Sequence, residues 1–344
     1  MNHRVFNLEW GNDVRPSSIA SMTRTRWAVT LLGILMALVS YSSQAAAARP
    51  NNIFILADDL GYGESSCYGQ QKFKTPNIDR IASEGMKFTA HYSGHNVCAP
   101  SRCALMTGKH PGHGYIRENR GGMGADGEGQ EPLPSGELKL PLTLKQLGYT
   151  LIVFTSDNGP LYDELGGTDT EFFNSAAGFR GRKGSYYEGG FRVPCVVRWP
   201  GKIKAGSTSA RVTGFEDWLP TLLELMGEKS ATPTGIDGVS FAPTLLGKKQ
   251  DARPFLYRES PGYTGQPCVR VGDGKLVRQH LNPGPRQQNP PAPTTELFDL
   301  AKDPREATDV AAQHPDVVRK LSALAREQHV PSKLWPIRVL DAKK

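Results

Sequence analysis

Two short apolar runs in this chain end in oxygen-donor side chains. Asn51-Asn52-Ile53-Phe54-Ile55-Leu56-Ala57 runs into Asp58-Asp59, and Leu151-Ile152-Val153-Phe154 leads to Asp157-Asn158. Apolar runs of this length, bounded by turn residues, read as buried parallel strands. In open α/β sheets ligands sit beyond the carboxyl ends of the strands. Asp58, Asp59, Asp157 and Asn158 can therefore converge at one sheet edge. Hard divalent cations such as Ca2+ or Mg2+ take this kind of donor set. Either pair alone reads equally well as a turn former or helix cap. Their recurrence at matching strand ends is what points to a cation.

Between the two pairs stands Cys98-Ala99-Pro100-Ser101-Arg102, with a helix expected to begin near Pro100, since proline suits a first helical turn. The chain has five cysteines, an odd number without metal-type spacing, so at least one lies outside any set of intramolecular pairs. Cys98 is the candidate whose role is chemical. Further on come Gly181-Arg182-Lys183-Gly184 and Glu188-Gly189-Gly190-Phe191-Arg192-Val193-Pro194. Lys183 by itself reads as a surface lysine. His91 and His95 read as ordinary strand-end and loop residues.

Strands and helices must position these groups. Thr75 to Gly85 reads as a helix, Met86 to Tyr92 as a second strand, and Leu140, Leu144 and Leu147 as a helical stripe closed by Gly148. Alternation of strand and helix implies an α/β fold, a mostly parallel mixed sheet between helices. Leu219, Leu222, Leu223 and Met226 form another apolar helical stripe. After Pro254 the pattern changes to antiparallel strands, turning at Gly272-Asp273-Gly274, with a last strand at Glu296–Leu300 and an amphipathic helix from Pro315 to Gln328. The organisation expected is a catalytic domain over 49–252, a small α+β subdomain over 253–335 and a tail over 336–344. Asn282 to Pro293, rich in Pro and Gln, reads as an exposed loop.

A chain of 344 residues with 38% hydrophobic and 22% charged residues can bury a core without staples. Its net charge of +7 is spread thinly, and no basic run is dense enough for nucleic acid. Residues 1–48 read as a signal-peptide region, with Met22 as the alternative start. Met22-Thr23-Arg24-Thr25-Arg26 is the basic segment, Trp27 to Val39 the apolar one, and Ala45 to Ala48 the cleavage site. Export to the periplasm or medium is expected. The apolar run is too short for a stable membrane span.

The residues around Cys98 resemble the formylglycine-dependent sulfatase family, arylsulfatase-like members of the alkaline phosphatase superfamily. That family carries C-x-P-S-R followed by a helix and T-G, here Cys98, Pro100, Ser101 and Arg102, then Thr107-Gly108. Lys183 and the Glu188–Pro194 block resemble its lysine and E-G-G-x-R-V-P segment. Asp217 with Pro220-Thr221-Leu222 resembles its D-x-x-P-T-L helix, and Glu296–Leu300 with Asp303-Pro304 and Glu306 its C-terminal signature. The resemblance implies that a maturation enzyme oxidises Cys98 to formylglycine, whose hydrate is the nucleophile. It implies that Asp58, Asp59, Asp157, Asn158 and the oxygen at residue 98 hold the cation, Ca2+ with Mg2+ as the alternative. Arg102 would stabilise the hydrate and Lys183 would contact a sulfate oxygen. The implied substrate is a sulfated small molecule or carbohydrate. Phosphonate and phosphodiester hydrolases of the same superfamily share C-x-P-S-R and form an alternative.

One part of the family pattern is missing. There, a helix ending in L-G-Y-x-T leads to a strand and G-K-W-H-L-G, whose lysine and histidine handle sulfate, and later to a second histidine near the leaving group. Here Leu147-Gly148-Tyr149-Thr150 runs straight into Leu151-Ile152-Val153-Phe154, and no G-K-W-H occurs. The resemblance thus implies an internal deletion at Thr150/Leu151. One strand does duty for two, so one sheet position should be vacated, exposing apolar surface. The expectation is at most a single slow turnover on activated aryl sulfates, with a non-catalytic remnant as the competing reading.

Overall fold

The computed structural model describes residues 52–119, 132–136, 151–163, 168–282 and 289–342. The expected leader and the expected helix at Leu140–Leu147 lie outside these described residues. The first strand, β1 (Asn52–Ala57), is followed by a glycine-containing loop and helix α1 (Pro76–Ser83), where Pro76 occupies the first turn and its missing N–H costs nothing. The expected single strand from Met86 to Tyr92 is two, β2 (Met86–Phe88) and β3 (His91–Tyr92). The chain changes partners between them: β2 pairs with β5 and β6, and β3 with β7, so no single ladder spans the segment.

Helix α2 (Cys98–Thr107) begins two residues earlier than the proline suggested, with Pro100 inside its first turn, and Gly108 ends it at φ 72°. Next come β4 (Leu151–Ser156), the short α3 (Glu188–Phe191), β5 (Cys195–Arg198), β6 (Ser207–Ser209), β7 (Thr213–Gly214), α4 (Trp218–Leu225) and α5 (Ala242–Leu245). The remainder is β8 (Leu256–Ser260), β9 (Gln266–Val271), β10 (Gly274–Gln279), β11 (Thr294–Asp299), α6 (Pro315–Gln328) and α7 (Arg338–Asp341).

The main sheet has the order β1-β4-β5-β2-β6. Only β5 runs against the other four, so the sheet is mixed but mostly parallel. Its register sets the site. β1 and β4 pair in parallel from Asn52↔Leu151 to Ala57↔Ser156, so Asp58-Asp59 and Asp157-Asn158 leave neighbouring strands at one level. Among the described residues β1 is an edge strand, and Ile53 and Ile55 are 46% and 42% exposed. A strand inside a parallel sheet buries both faces.

On one side of the sheet, Ala104 and Leu105 of α2 and Trp218, Leu219 and Leu222 of α4 pack against Phe88, Val153 and Val197. The second sheet, β11-β10-β9-β8, is antiparallel. One of its faces holds Leu321 and Ala325 of α6 against Tyr257, Val269 and Leu276. Its other face, through Val277 and Phe298, packs on Tyr186 and Phe191. The segment carrying Lys183 is thereby wedged between strand ends and the second sheet.

Candidate active site

The two acidic pairs meet at the strand ends as their register requires. Asp59 takes the left-handed conformation, φ 56°, which aspartate tolerates better than most residues. Its N–H donates to Asp157 Oδ1 at 3.2 Å, and Leu60 N–H donates to Ser156 Oγ at 2.9 Å. Cys98 is the first residue of α2, and Arg102, one turn on, lies on the same helix face. The Arg102 guanidinium reaches Asp157 Oδ2 at 2.7 Å and Asp58 Oδ1 at 3.1 Å. Lys183 Nζ lies 2.6 and 2.7 Å from the Asp59 carboxylate oxygens and 3.1 Å from Cys98 Sγ. Cys98 Sγ in turn is 3.7 Å from Asp58 Oδ1 and 3.8 Å from Asp59 Oδ1. All seven residues singled out in the sequence are in one place.

The charges interlock. Burial pushes the Asp157 carboxyl up, against the pull of Arg102. For Lys183 burial acts downward, but its contacts with Asp59 and Cys98 more than offset it and hold the ammonium charged. Burial pushes the Cys98 thiol up to about 11, in spite of Lys183. A thiol protonated at neutral pH is a poor nucleophile and a poor metal ligand.

The donor set fits a hard cation. One ligand atom each from Asp58, Asp59, Cys98 and Asp157 lies within 4.8 Å of the others. Asn158 donates through Nδ2 to Asp59 at 2.6 Å, while its Oδ1 is buried with no hydrogen-bond partner. An orphaned buried amide oxygen is costly, and a cation would satisfy it. The Lys183 ammonium supplies positive charge to Asp59 here.

Lys183 is held by its backbone. Its N–H donates to Pro160 O at 2.8 Å, and Gly184 N–H donates to Asn96 O at 2.8 Å. Two glycines of the next block allow close approach: a Cβ on Gly189 would sit 2.3 Å from Gly181 O, and one on Gly190 2.1 Å from Ser185 O. Glu188 is fully buried. Burial alone would raise its carboxyl, but Lys275, Arg192 and Arg270 more than offset that and hold it near about 2. Lys275 Nζ bridges Glu188 and Glu306 at 2.8 and 2.7 Å, and Glu306 Oε2 accepts the Glu188 N–H at 2.6 Å. Glu188 and Glu306 touch none of the cluster; they lock the lysine segment onto the second sheet.

Sequence reasoning missed several residues. Asn119 Oδ1 accepts the Ala99 N–H at 2.9 Å, beside Cys98. A cavity of about 420 Å³ opens next to Cys98 and Arg102, walled by Met106, Ile116, Asn119 and Leu133. These come from separate segments with no shared periodicity, so nothing in the sequence groups them. Lys275 was read only as part of a strand. His91 and His95, read as ordinary strand-end and loop residues, are both fully buried, and burial lowers each to about 3. His91 Nδ1 pairs with Thr213 Oγ1 at 2.8 Å, and His95 packs its ring on Tyr186. Among the described residues, no hydrogen bond or ion pair of Asp58, Asp59, Cys98, Asp157 or Lys183 involves a histidine.

Fold and site together define an alkaline phosphatase-like α/β protein with a sulfatase arrangement at its sheet edge, and the comparisons agree. The sulfatase family pattern matches residues 50–151 and 150–228, just over half of the chain. The two matched stretches meet at Thr150-Leu151, the junction singled out in the sequence. The ulvan-active sulfatase of Formosa agariphila is 26% identical, over 80% of this chain and 78% of that protein. Mouse steryl-sulfatase is 30% identical over 90% of this chain, which spans only 54% of the mouse protein. These alignments run to 391 and 355 positions, longer than the chain itself, so both contain gaps in it. A solved sulfatase from the study of glycosaminoglycan metabolism by Bacteroides thetaiotaomicron superimposes with a TM-score of 0.61 at 20% identity, over 82% of this chain and 99% of that one. PsFucS1 sulfatase from Pseudoalteromonas gives 0.59 at 18% identity, over 91% and 94%. This chain belongs to the sulfatase family. By family it is a sulfuric ester hydrolase, and sulfatases of this family generally use a formylglycine and a divalent cation. No helix among the described residues is long and apolar enough to cross a membrane.

Proposed function

We propose that this chain binds and cleaves a sulfate monoester of a small molecule or carbohydrate at residue 98, after export and after a maturation enzyme has converted Cys98 to formylglycine. The observation that carries this is the convergence of Asp58, Asp59, Asp157, Asn158, Arg102 and Lys183 on Cys98. The hydrated aldehyde supplies a hydroxyl nucleophile for sulfur and a way to expel sulfate afterwards. Ca2+, or Mg2+ in its place, suits the all-oxygen donors Asp58, Asp59, Asp157 and Asn158. Lys183 is the group for a sulfate oxygen, since it already touches residue 98 and carries its charge in a half-buried position. Arg102 steadies residue 98 from the next helical turn and keeps Asp157 and Asp58 in place. The apolar cavity walls at Met106, Ile116 and Leu133 favour an aryl or similarly apolar group next to the sulfate.

Proton transfer is the weak point. A positioned acid or base contributes about 10²–10⁴-fold to such reactions, and among the described residues no histidine bonds to this cluster. Activated aryl sulfates, whose leaving groups need no acid, are therefore the esters expected to react, with at most one slow turnover per chain. The competing reading, a binding-only remnant, draws on the same missing histidines and on the two family stretches abutting at Leu151.

The test is co-expression with a formylglycine-generating enzyme, mass spectrometry of the Cys98 peptide, and pre-steady-state assay on an activated aryl sulfate with Ca2+. Conversion at residue 98 with a burst no larger than one product per site is expected. An unmodified thiol would overturn the assignment of residue 98, and steady turnover would overturn the reading of the missing segment. A converted residue with no burst would favour the remnant. A parallel assay on a phosphonate ester tests the superfamily alternative.

A further inference from the structure

We propose that a second metal site, for Zn2+ or a similar transition cation, is formed by His110, His113, Asp237 and Gln328, away from the acidic cluster. One ligand atom each from His110, His113 and Asp237 lies within 4.8 Å of the others. Two imidazole nitrogens converge on a single carboxylate oxygen: Asp237 Oδ1 is 2.7 Å from His113 Nδ1 and 3.6 Å from His110 Nε2. A fourth donor, Gln328 Oε1, is 3.2 Å from His110 Nε2. Zinc bonds of about 2.0–2.1 Å in a tetrahedron set neighbouring donors roughly 3.3 Å apart. These three separations, 2.7, 3.2 and 3.6 Å, bracket that spacing.

The surroundings are consistent with this. His110 is buried, with its Nε2 turned toward Asp237 and Gln328. The two rings stack at 4.3 Å between centroids, so both are restrained before any ion arrives. Asp237 is fixed by accepting the His110 N–H at 2.9 Å and by donating its own N–H to Gly108 O at 2.9 Å. The His113 side chain remains 30% exposed, leaving a way in. Two imidazoles, one carboxylate and one amide oxygen select Zn2+ over Ca2+ or Mg2+. The acidic cluster prefers the reverse, so the two sites divide the cations between them. An ion here would tie the loop that follows α2 to the C-terminal end of α6. Since Cys98 opens α2, the site would brace the far end of the helix that carries residue 98.

The full-length chain, stripped with chelator and then saturated with Ca2+, should still take up one equivalent of Zn2+. Co2+ in its place should give the visible absorption of a tetrahedral centre. His113→Ala, a partly exposed change that leaves the core alone, should weaken Zn2+ binding by more than about 100-fold and abolish the Co2+ bands. Gln328→Leu should weaken binding less. Cys98→Ser should leave both signals intact, and Zn2+ should raise the melting temperature of wild type but not of His113→Ala. The proposal is overturned if wild type takes up no Zn2+ in excess Ca2+. It is equally overturned if His113→Ala binds as wild type does, or if uptake disappears in Cys98→Ser instead.

Discussion

Two groups of charges in this molecule are built on opposite plans. Around Glu188, Lys275 and Glu306, and around Glu216, Arg253 and Arg258, every side chain is buried and every charge is answered by another within the protein. At the strand ends, Asp58 is 70% exposed, Arg102 is 45% exposed, and the Asn158 amide oxygen is left without a partner. The first plan is closed. Its desolvation cost is offset only because all partners are present, so it contributes geometry more than net stability. The second is open, with ligand atoms gathered but not saturated, as the proposed cation and sulfate site would require. The closed networks hold the Lys183 segment and the α4 entrance in place, and the open one uses the positions they fix.

That contrast can be broken most severely at its closed end. Lys275→Met should leave Glu306 buried without a countercharge and Glu188 with Arg192 and Arg270 alone, and cost about 3–5 kcal/mol, read as a shift in the urea midpoint. Acid should act on the same groups. Burial alone would raise Glu188 and Glu216, yet Lys275 and Arg192 at one, and Arg258 and Arg253 at the other, hold both near about 2. A depressed carboxylate stabilises the fold above its unfolded value of 4.5, and that stability is lost as pH falls from 4.5 toward 2. Thermal melts across that window should show a steep decline, and a flat profile would contradict the closed reading.

At the open end the effects should be smaller on folding and larger on ligand. Asp59→Asn keeps a residue tolerant of φ 56° but removes the charge that Lys183 faces, so its melting temperature without cation should fall by less than that of Lys275→Met. The stabilisation gained on adding Ca2+ should vanish in that variant, as measured by differential scanning fluorimetry. Smallest of all is Asp58→Asn. Its pairing with Arg102 is exposed, so the variant should lose no more than about 1 kcal/mol in chemical denaturation.

The open group was readable from sequence because strand ends and helix starts are local signals. Apolar runs stopping at Asp58-Asp59 and Asp157, and a proline-marked helix at Cys98, place four of the seven residues without any knowledge of partners. Asn158 follows Asp157 and Arg102 follows Cys98 by one turn, so periodicity carries them along. Lys183 was different: its segment has no regular element, and only the resemblance singled it out. The closed group was mostly invisible. Lys275 sits 87 residues from Glu188, and a strand pattern does not say which inward-facing polar residue will meet which. The split between β2 and β3 was hidden for the same reason, since a change of partner leaves no mark on the strand's own sequence. Burial of His95 depends on Tyr186 arriving from another segment.

A segment written Gly-Gly within a glycine-containing stretch ordinarily suggests a supple backbone. At Gly189 and Gly190 the missing side chains do the opposite, because neighbouring carbonyl oxygens occupy the space a Cβ would need. That close packing should confine the backbone there on the nanosecond scale, with amide order parameters expected at about 0.85, as in strands. Lys183 therefore swings only about its own side-chain torsions. The reach of its ammonium is set by a tether that does not move, which makes residue 183 a fixed electrostatic landmark rather than a mobile arm.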